Sequence, residues 1–182
     1  MDAEARLKQL GIELSAAPPA MANYVRAVRV GNLLFLSGHG PYKDGKLTFI
    51  GKVGRELSVE EGAQSARLVG LNLLASAREA LGSLDRVKRV VKVLGMVNSA
   101  AGFGDQPKVI NGFSDLMVEV FGEAGRHARS AVGMAELPMG ISVEIEMILE
   151  VGDGATAGAR KTASKTVSRA RPAKRPAARR RR

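Results

Sequence analysis

Four side chains of this 182-residue chain invite a chemical reading: Ser37, His39, Arg129 and Glu144. Ser37 and His39 stand at i and i+2 in "FLSGHG". On a regular strand such residues share a face, which would let the imidazole activate the hydroxyl. No nucleophile elbow surrounds Ser37 and nothing marks an acid to orient His39, so an ordinary serine and histidine at a strand end is the better account. Gly38 and Gly40 are followed by Pro41 and a further strand rather than by a helix. That removes the phosphate-loop reading and leaves a bend or a close backbone approach. The second histidine, His127, is remote in sequence and belongs to no Asp/Glu cluster at ligand spacing, so no metal site is expected.

Arg129 is the stranger residue. It lies in "HARSAVGMAELP", which reads as a strand over 128–136. Alternation places Arg129, Ala131, Gly133 and Ala135 on one face and Ser130, Val132 and Met134 on the other. The second face is expected to pack in the core. The first sets a guanidinium among very small neighbours, which suits an anion pocket: a fork with room in front of it. The alternative is an arginine paired with a glutamate on a solvated face, and periodicity leaves both open. The last strand, 141–151, alternates strictly, with Glu144, Glu146, Ile148 and Glu150 on one face. If the last two strands form a hairpin, Glu144 approaches the Arg129 face, where a carboxylate could orient or deprotonate a water. An ion pair with Arg129 is the competing role for it.

The elements that must position these groups follow from local signals. A short helix is expected over 2–10, capped by Asp2 and ended by Gly11. Pro18 and Pro19 interrupt the chain. Strands at 24–31 and 33–38 form a hairpin around "VGN". Asp44-Gly45 signals a second turn, leading to a short strand over 47–50. Ser58 and Glu61 form a capping box for a long helix that Gly82 stops. Residues 87–97, rich in β-branched side chains, read as a strand. Asp105 and Pro107 start a second long helix, striped by Val109, Ile110, Phe113, Met117, Val120 and Phe121 and ended by Gly122. The order β-β-β-α-β-α-β-β, behind an N-terminal helix, implies an α+β fold with helices on one face of the sheet. The other face then needs a cover, and partner subunits are the simplest candidate.

Charge divides the chain. Residues 152–182 hold 11 of the 28 basic residues and one of the 18 acidic ones, leaving 17 of each before them, so the net charge of +10 belongs to the C-terminal segment. We read a domain over 1–151 followed by a disordered basic tail over 152–182, with no hydrophobic periodicity. There is no cysteine, which excludes disulfides and thiolate catalysis. No apolar run approaches membrane-spanning length and no secretory pattern opens the chain, so a cytoplasmic protein without membrane partners is expected.

The stretches "YVRAVRVGNLLFLSGHGP" and "RHARSAVGMAELPMGISVEIEMILEV", with the element order, resemble the YjgF/RidA family of reactive-intermediate deaminases, also labelled endoribonuclease L-PSP or translation initiation inhibitor. The resemblance covers residues 20–151, and the N-terminal helix and "GEAGRHARSAVG" look like a distinct bacterial branch. It implies a chorismate-mutase-like fold, a homotrimer and ligand clefts between subunits. Arg129 matches the arginine that grips the substrate carboxylate, and Glu144 the glutamate that positions the attacking water. Tyr24 and Ser37 match pocket-lining residues. Asn111 matches an asparagine before the second helix, with spacing that differs by a residue. Ala131 stands where typical members carry a cysteine whose backbone carbonyl is used.

The implied reaction is hydrolysis of an amino-acid-derived enamine or imine, such as 2-aminoacrylate, to a 2-keto acid and ammonia, with no cofactor or metal. Two other readings stay open. One is a non-catalytic regulatory trimer that binds small carboxylates. The other, ranked lower, is nucleic-acid work, as a ribonuclease or through non-specific phosphate binding by residues 160–182. No general acid/base histidine pair is apparent for RNA cleavage.

Overall fold

Ser58 starts the long helix as its spacing to Glu61 demands. Its hydroxyl accepts from the Glu61 backbone N–H at 3.1 Å, and the Glu61 carboxylate accepts from the Ser58 N–H at 2.8 Å. This helix, α2 (Val59–Leu81), ends on Gly82, whose φ of 83° is left-handed. The computed structural model describes residues 2–152. Before α2 come α1 (Ala3–Gln9), β1 (Ala27–Val30), β2 (Leu33–His39), β3 (Tyr42–Lys43) and β4 (Lys46–Leu47). After it come β5 (Val87–Asn98), α3 (Gln106–Phe121), β6 (Ala128–Met134) and β7 (Val143–Val151).

The main sheet has the order β1-β2-β7-β5-β6, with β5 and β6 parallel and the other pairs antiparallel. The expected α+β architecture is present. The Asp44-Gly45 turn is also present, both residues at positive φ, but the strand expected at 47–50 does not join the sheet. The turn closes a two-residue ribbon, β3–β4, and Ile50 makes only an isolated bridge to Ile141. Phe49 at φ 51° turns the chain out of extended conformation there.

The last two strands do not form a hairpin. Their "LPMG" connection permits one, but β5 lies between them and pairs with both. Long-range pairing of the twelve-residue β5 overrides the local turn.

Helices α2 and α3 cover one face. Between them and the sheet lie Leu73, Leu74, Val93, Ile110, Phe113, Leu116, Ile145 and Met147, all essentially inaccessible. The helices meet where a Cβ at Gly112 would overlap the Ala63 carbonyl, so only glycine permits that approach. Helix α1 docks beside α3, with Arg6 Nε donating to the Glu119 carbonyl at 2.9 Å. The opposite face of the sheet is uncovered: Val28, Phe35 and Val132 are 49, 39 and 40% exposed. Among the described residues no helix is long and apolar enough to cross a membrane. The tail expected beyond 152 lies outside the described residues.

Candidate active site

Alternation along β7 sends Glu144 and Glu146 to the uncovered face and buries Val143, Ile145 and Met147 under the helices. Glu144 lies over Gly38, where a Cβ would overlap its Oε1. The close approach expected at Gly38 is therefore real, and its partner is a carboxylate. It is made possible by a bulge: between the Leu36–Met147 and His39–Ile145 pairs, Ser37 and Gly38 together oppose one residue of β7. The bulge also separates Ser37 from His39. Ser37 donates from Oγ to the Arg26 carbonyl at 3.3 Å, whereas His39 turns under α2, its Nε2 at 2.8 Å from Ser76 Oγ. The two do not form a side-chain dyad.

Burial pushes the Glu144 carboxyl above the usual carboxylate range, and the like charge of Glu146 adds to this. The group faces a cavity of about 520 Å³ whose walls include Tyr24, Ser37, Leu47, Met139 and Ile141. Three residues singled out in the sequence (Tyr24, Ser37 and Glu144) thus share one apolar-walled recess. Tyr24 is 42% exposed, with its hydroxyl 3.4 Å from the Met21 backbone N–H. Leu47, Met139 and Ile141 carried no signal in the sequence, because the β3–β4 ribbon and the 138–140 turn reach the site only through the fold.

Arg129 is elsewhere. It pairs with Val93 on β5, on the helix-covered face. The small side chains beside it have a different cause from the one expected: α3 packs directly over them. A Cβ at Gly133 would come within 2.8 Å of Gln106 Nε2, and Ala131 packs partly against the core. The face expected to be buried, Ser130 and Val132, is the open one, where Lys92 Nζ donates to Ser130 Oγ at 2.9 Å.

The guanidinium emerges at the sheet edge along α3. Nη1 donates to Asn111 Oδ1 at 3.0 Å and to Ser114 Oγ at 2.9 Å, and Nη2 donates to the Pro107 carbonyl at 3.3 Å. Pro107, Asn111 and Ser114 are spaced i, i+4 and i+7, one stripe of the helix. Asn111 therefore lies inside α3 rather than before it, and it touches the arginine all the same. Three of the five guanidinium hydrogens are engaged. Among the described residues nothing accepts from Nε, so the Nε–H and one Nη2–H are left unengaged at that fork. A carboxylate fits that fork with two parallel hydrogen bonds.

Arg129 and Glu144 thus lie in separate recesses of one chain. Among the described residues no three His, Cys, Asp or Glu side chains stand together as a ligand set.

The family described as "YjgF/chorismate_mutase-like, putative endoribonuclease" matches residues 4–150. The chain is 46% identical over 150 residues to Protein TCP17 of Trypanosoma cruzi, covering 82% of this chain and 94% of the relative. It is 33% identical over 142 residues to a 2-iminobutanoate/2-iminopropanoate deaminase of Dermatophagoides farinae, covering 77% and 94%. A crystal structure from Shewanella oneidensis, described as a "putative endoribonuclease", superposes with TM-score 0.80 at 35% identity, covering 83% of this chain and all of that one.

Proposed function

The chain belongs to the YjgF/chorismate mutase-like family, and from that premise we propose that it hydrolyses amino-acid-derived imines to 2-keto acids and ammonia. The observation that carries this reading is the pair of complementary half-sites: an arginine fork left open for a carboxylate, and a half-buried carboxyl group over an apolar recess. The 33% identity to an imine deaminase supports the same chemistry. In the proposed reaction the Arg129 fork binds the substrate carboxylate. Glu144, with the Ala131 backbone carbonyl on the edge strand, holds a water against the imine carbon. The water oxygen bonds to that carbon as the C=N π electrons move to nitrogen, and one water proton passes by way of the Glu144 carboxylate to nitrogen, giving a carbinolamine. The carbinolamine hydroxyl then gives its proton, again by way of Glu144, to nitrogen as the C=O forms, the C–N bond breaks, and ammonia leaves. Imines hydrolyse in water unaided, so orientation accounts for much of the rate.

In this reading the two half-sites come from different subunits, because within one chain Arg129 and Glu144 lie on opposite faces of the sheet. The exposed apolar face carrying Val28, Phe35 and Val132 supports a self-association surface, and a homotrimer is the assembly we propose. The test is 2-keto acid formation from imines released by a serine or threonine dehydratase, with semicarbazide competing for the intermediate. Wild type accelerates the reaction and Arg129→Ala does not. Acceleration by neither, with carboxylate binding retained, would favour a regulatory carboxylate-binding trimer.

The charge concentration over 160–182 favours a second activity, non-specific retention of DNA or RNA, which a deletion of 153–182 removes at low salt while turnover is kept. Unchanged retention by the deletion variant contradicts it.

A further inference from the structure

His127 has no role in the reaction as written, yet in the neutral ring its hydrogen bonds have one consistent arrangement. Nδ1 lies 2.6 Å from the Gly125 carbonyl, which can only accept, so Nδ1 carries the hydrogen. In the neutral ring Nε2 is then an acceptor, and at 3.1 Å it takes the hydroxyl hydrogen of Ser114. With its hydrogen committed, Ser114 Oγ presents lone pairs toward Arg129 Nη1, 2.9 Å away. A single directed chain runs from the Gly125 carbonyl through His127 and Ser114 to the guanidinium.

Resting on the deaminase reading, we propose that His127 and Ser114 are positioning residues. They hold Nη1 of Arg129 against α3 so that the Nε–Nη2 edge faces the substrate carboxylate, and protonation of His127 releases it.

Neutral His127 is the state the surroundings favour. Burial lowers its pKa, the hydrogen bond to Gly125 opposes this, and the Arg129 charge lowers it further. The Phe113 ring packs against it in a T-shaped pair, 5.9 Å between centroids. The charged groups around it are Arg129 on β6, Arg126 in the preceding turn, whose Nε donates to the Glu123 carboxylate at 3.1 Å, and Asp115 on α3, while β5 presents the aliphatic Val93 beside Arg129. When His127 takes a second proton, Nε2–H points at Ser114 Oγ, whose lone pairs then serve two cationic donors while the Ser114 hydrogen loses its acceptor. Two cations then face each other across one hydroxyl.

The test uses the full-length protein with His127→Phe, His127→Gln and Ser114→Ala. Phenylalanine keeps the ring against Phe113 but removes the acceptor. Glutamine keeps an acceptor that does not titrate. For His127→Phe and Ser114→Ala, KM for the imine is expected to rise roughly tenfold, the effect of losing one hydrogen bond to a charged group, with kcat changed far less. His127→Gln is expected to restore KM to within a few-fold of wild type. In wild type, KM rises as the pH falls below the ordinary histidine value of 6.5, and that rise is absent in His127→Gln. Binding of 2-ketobutyrate, followed by calorimetry across the same pH range, gives the same comparison without turnover.

If wild type turns over substrate through Arg129 and all three variants keep wild-type KM and its pH dependence, the positioning role is overturned while the deaminase reading survives. If neither turnover nor 2-ketobutyrate binding depends on Arg129, both fall.

Discussion

Arg129 and Glu144 occupy opposite faces of one sheet, with β5 between their strands. Arg129 pairs with Val93 under α3, and Glu144 pairs with Met96 on the uncovered side. Within a chain the sheet itself stands between the two side chains. The proposed reaction therefore calls for an assembly, and the uncovered face is where that assembly is expected to form.

Gly38→Ala tests whether the seat of Glu144 matters. The added methyl overlaps the carboxylate, so the carboxyl must leave its place over the bulge. The expected result is a drop in kcat of at least tenfold with a small loss of stability, about 1–3 kcal/mol, as overpacking typically costs. Steady-state kinetics and a thermal melt on the same sample separate the two effects.

Glu146→Gln tests the electrostatics. The reaction needs Glu144 ionised, so kcat falls as the pH drops through its pKa. Burial and the charge of Glu146 both raise that pKa, which places the acid limb above that of an ordinary glutamate. Removing the Glu146 charge lowers the Glu144 pKa, and the acid limb of the kcat profile is expected to move to lower pH. A limb that stays in place would assign it to another group.

Phe35→Glu and Val132→Glu test the open face. Each sets a charge into a surface that an assembly would dehydrate, and the expected outcome is a folded monomer without turnover. Light scattering after size exclusion gives the mass, and far-UV circular dichroism verifies the fold.

The local signals were the legible ones. Ser58 and Glu61, Gly82, and Asp44-Gly45 each act through a few neighbouring residues, and each does in the fold what its chemistry demands. The alternation of β7 likewise placed Glu144 on the face away from the core. What was not legible depends on distant partners. Insertion of β5 between β6 and β7 is decided by pairing along twelve residues, and no turn residue records it. The bulge at Ser37–Gly38 breaks the alternation from which their faces were read. The small residues beside Arg129 answer to the closeness of α3, a tertiary fact, although their smallness was plain. His127 lies two positions before Arg129, but only the hydroxyl of Ser114 on another element gives it a connection.

The most direct measurement is subunit complementation. Arg129→Ala and Glu144→Gln are each expected to be inactive alone, then are co-expressed with different tags and purified as mixed assemblies. If every site of the trimer draws Arg129 from one subunit and Glu144 from its neighbour, each mixed trimer has both residues in about one site of its three. The account predicts recovery of about a third of wild-type turnover in the purified mixed assemblies. A mixed assembly of confirmed composition that stays as inactive as its parents would contradict a site shared between subunits.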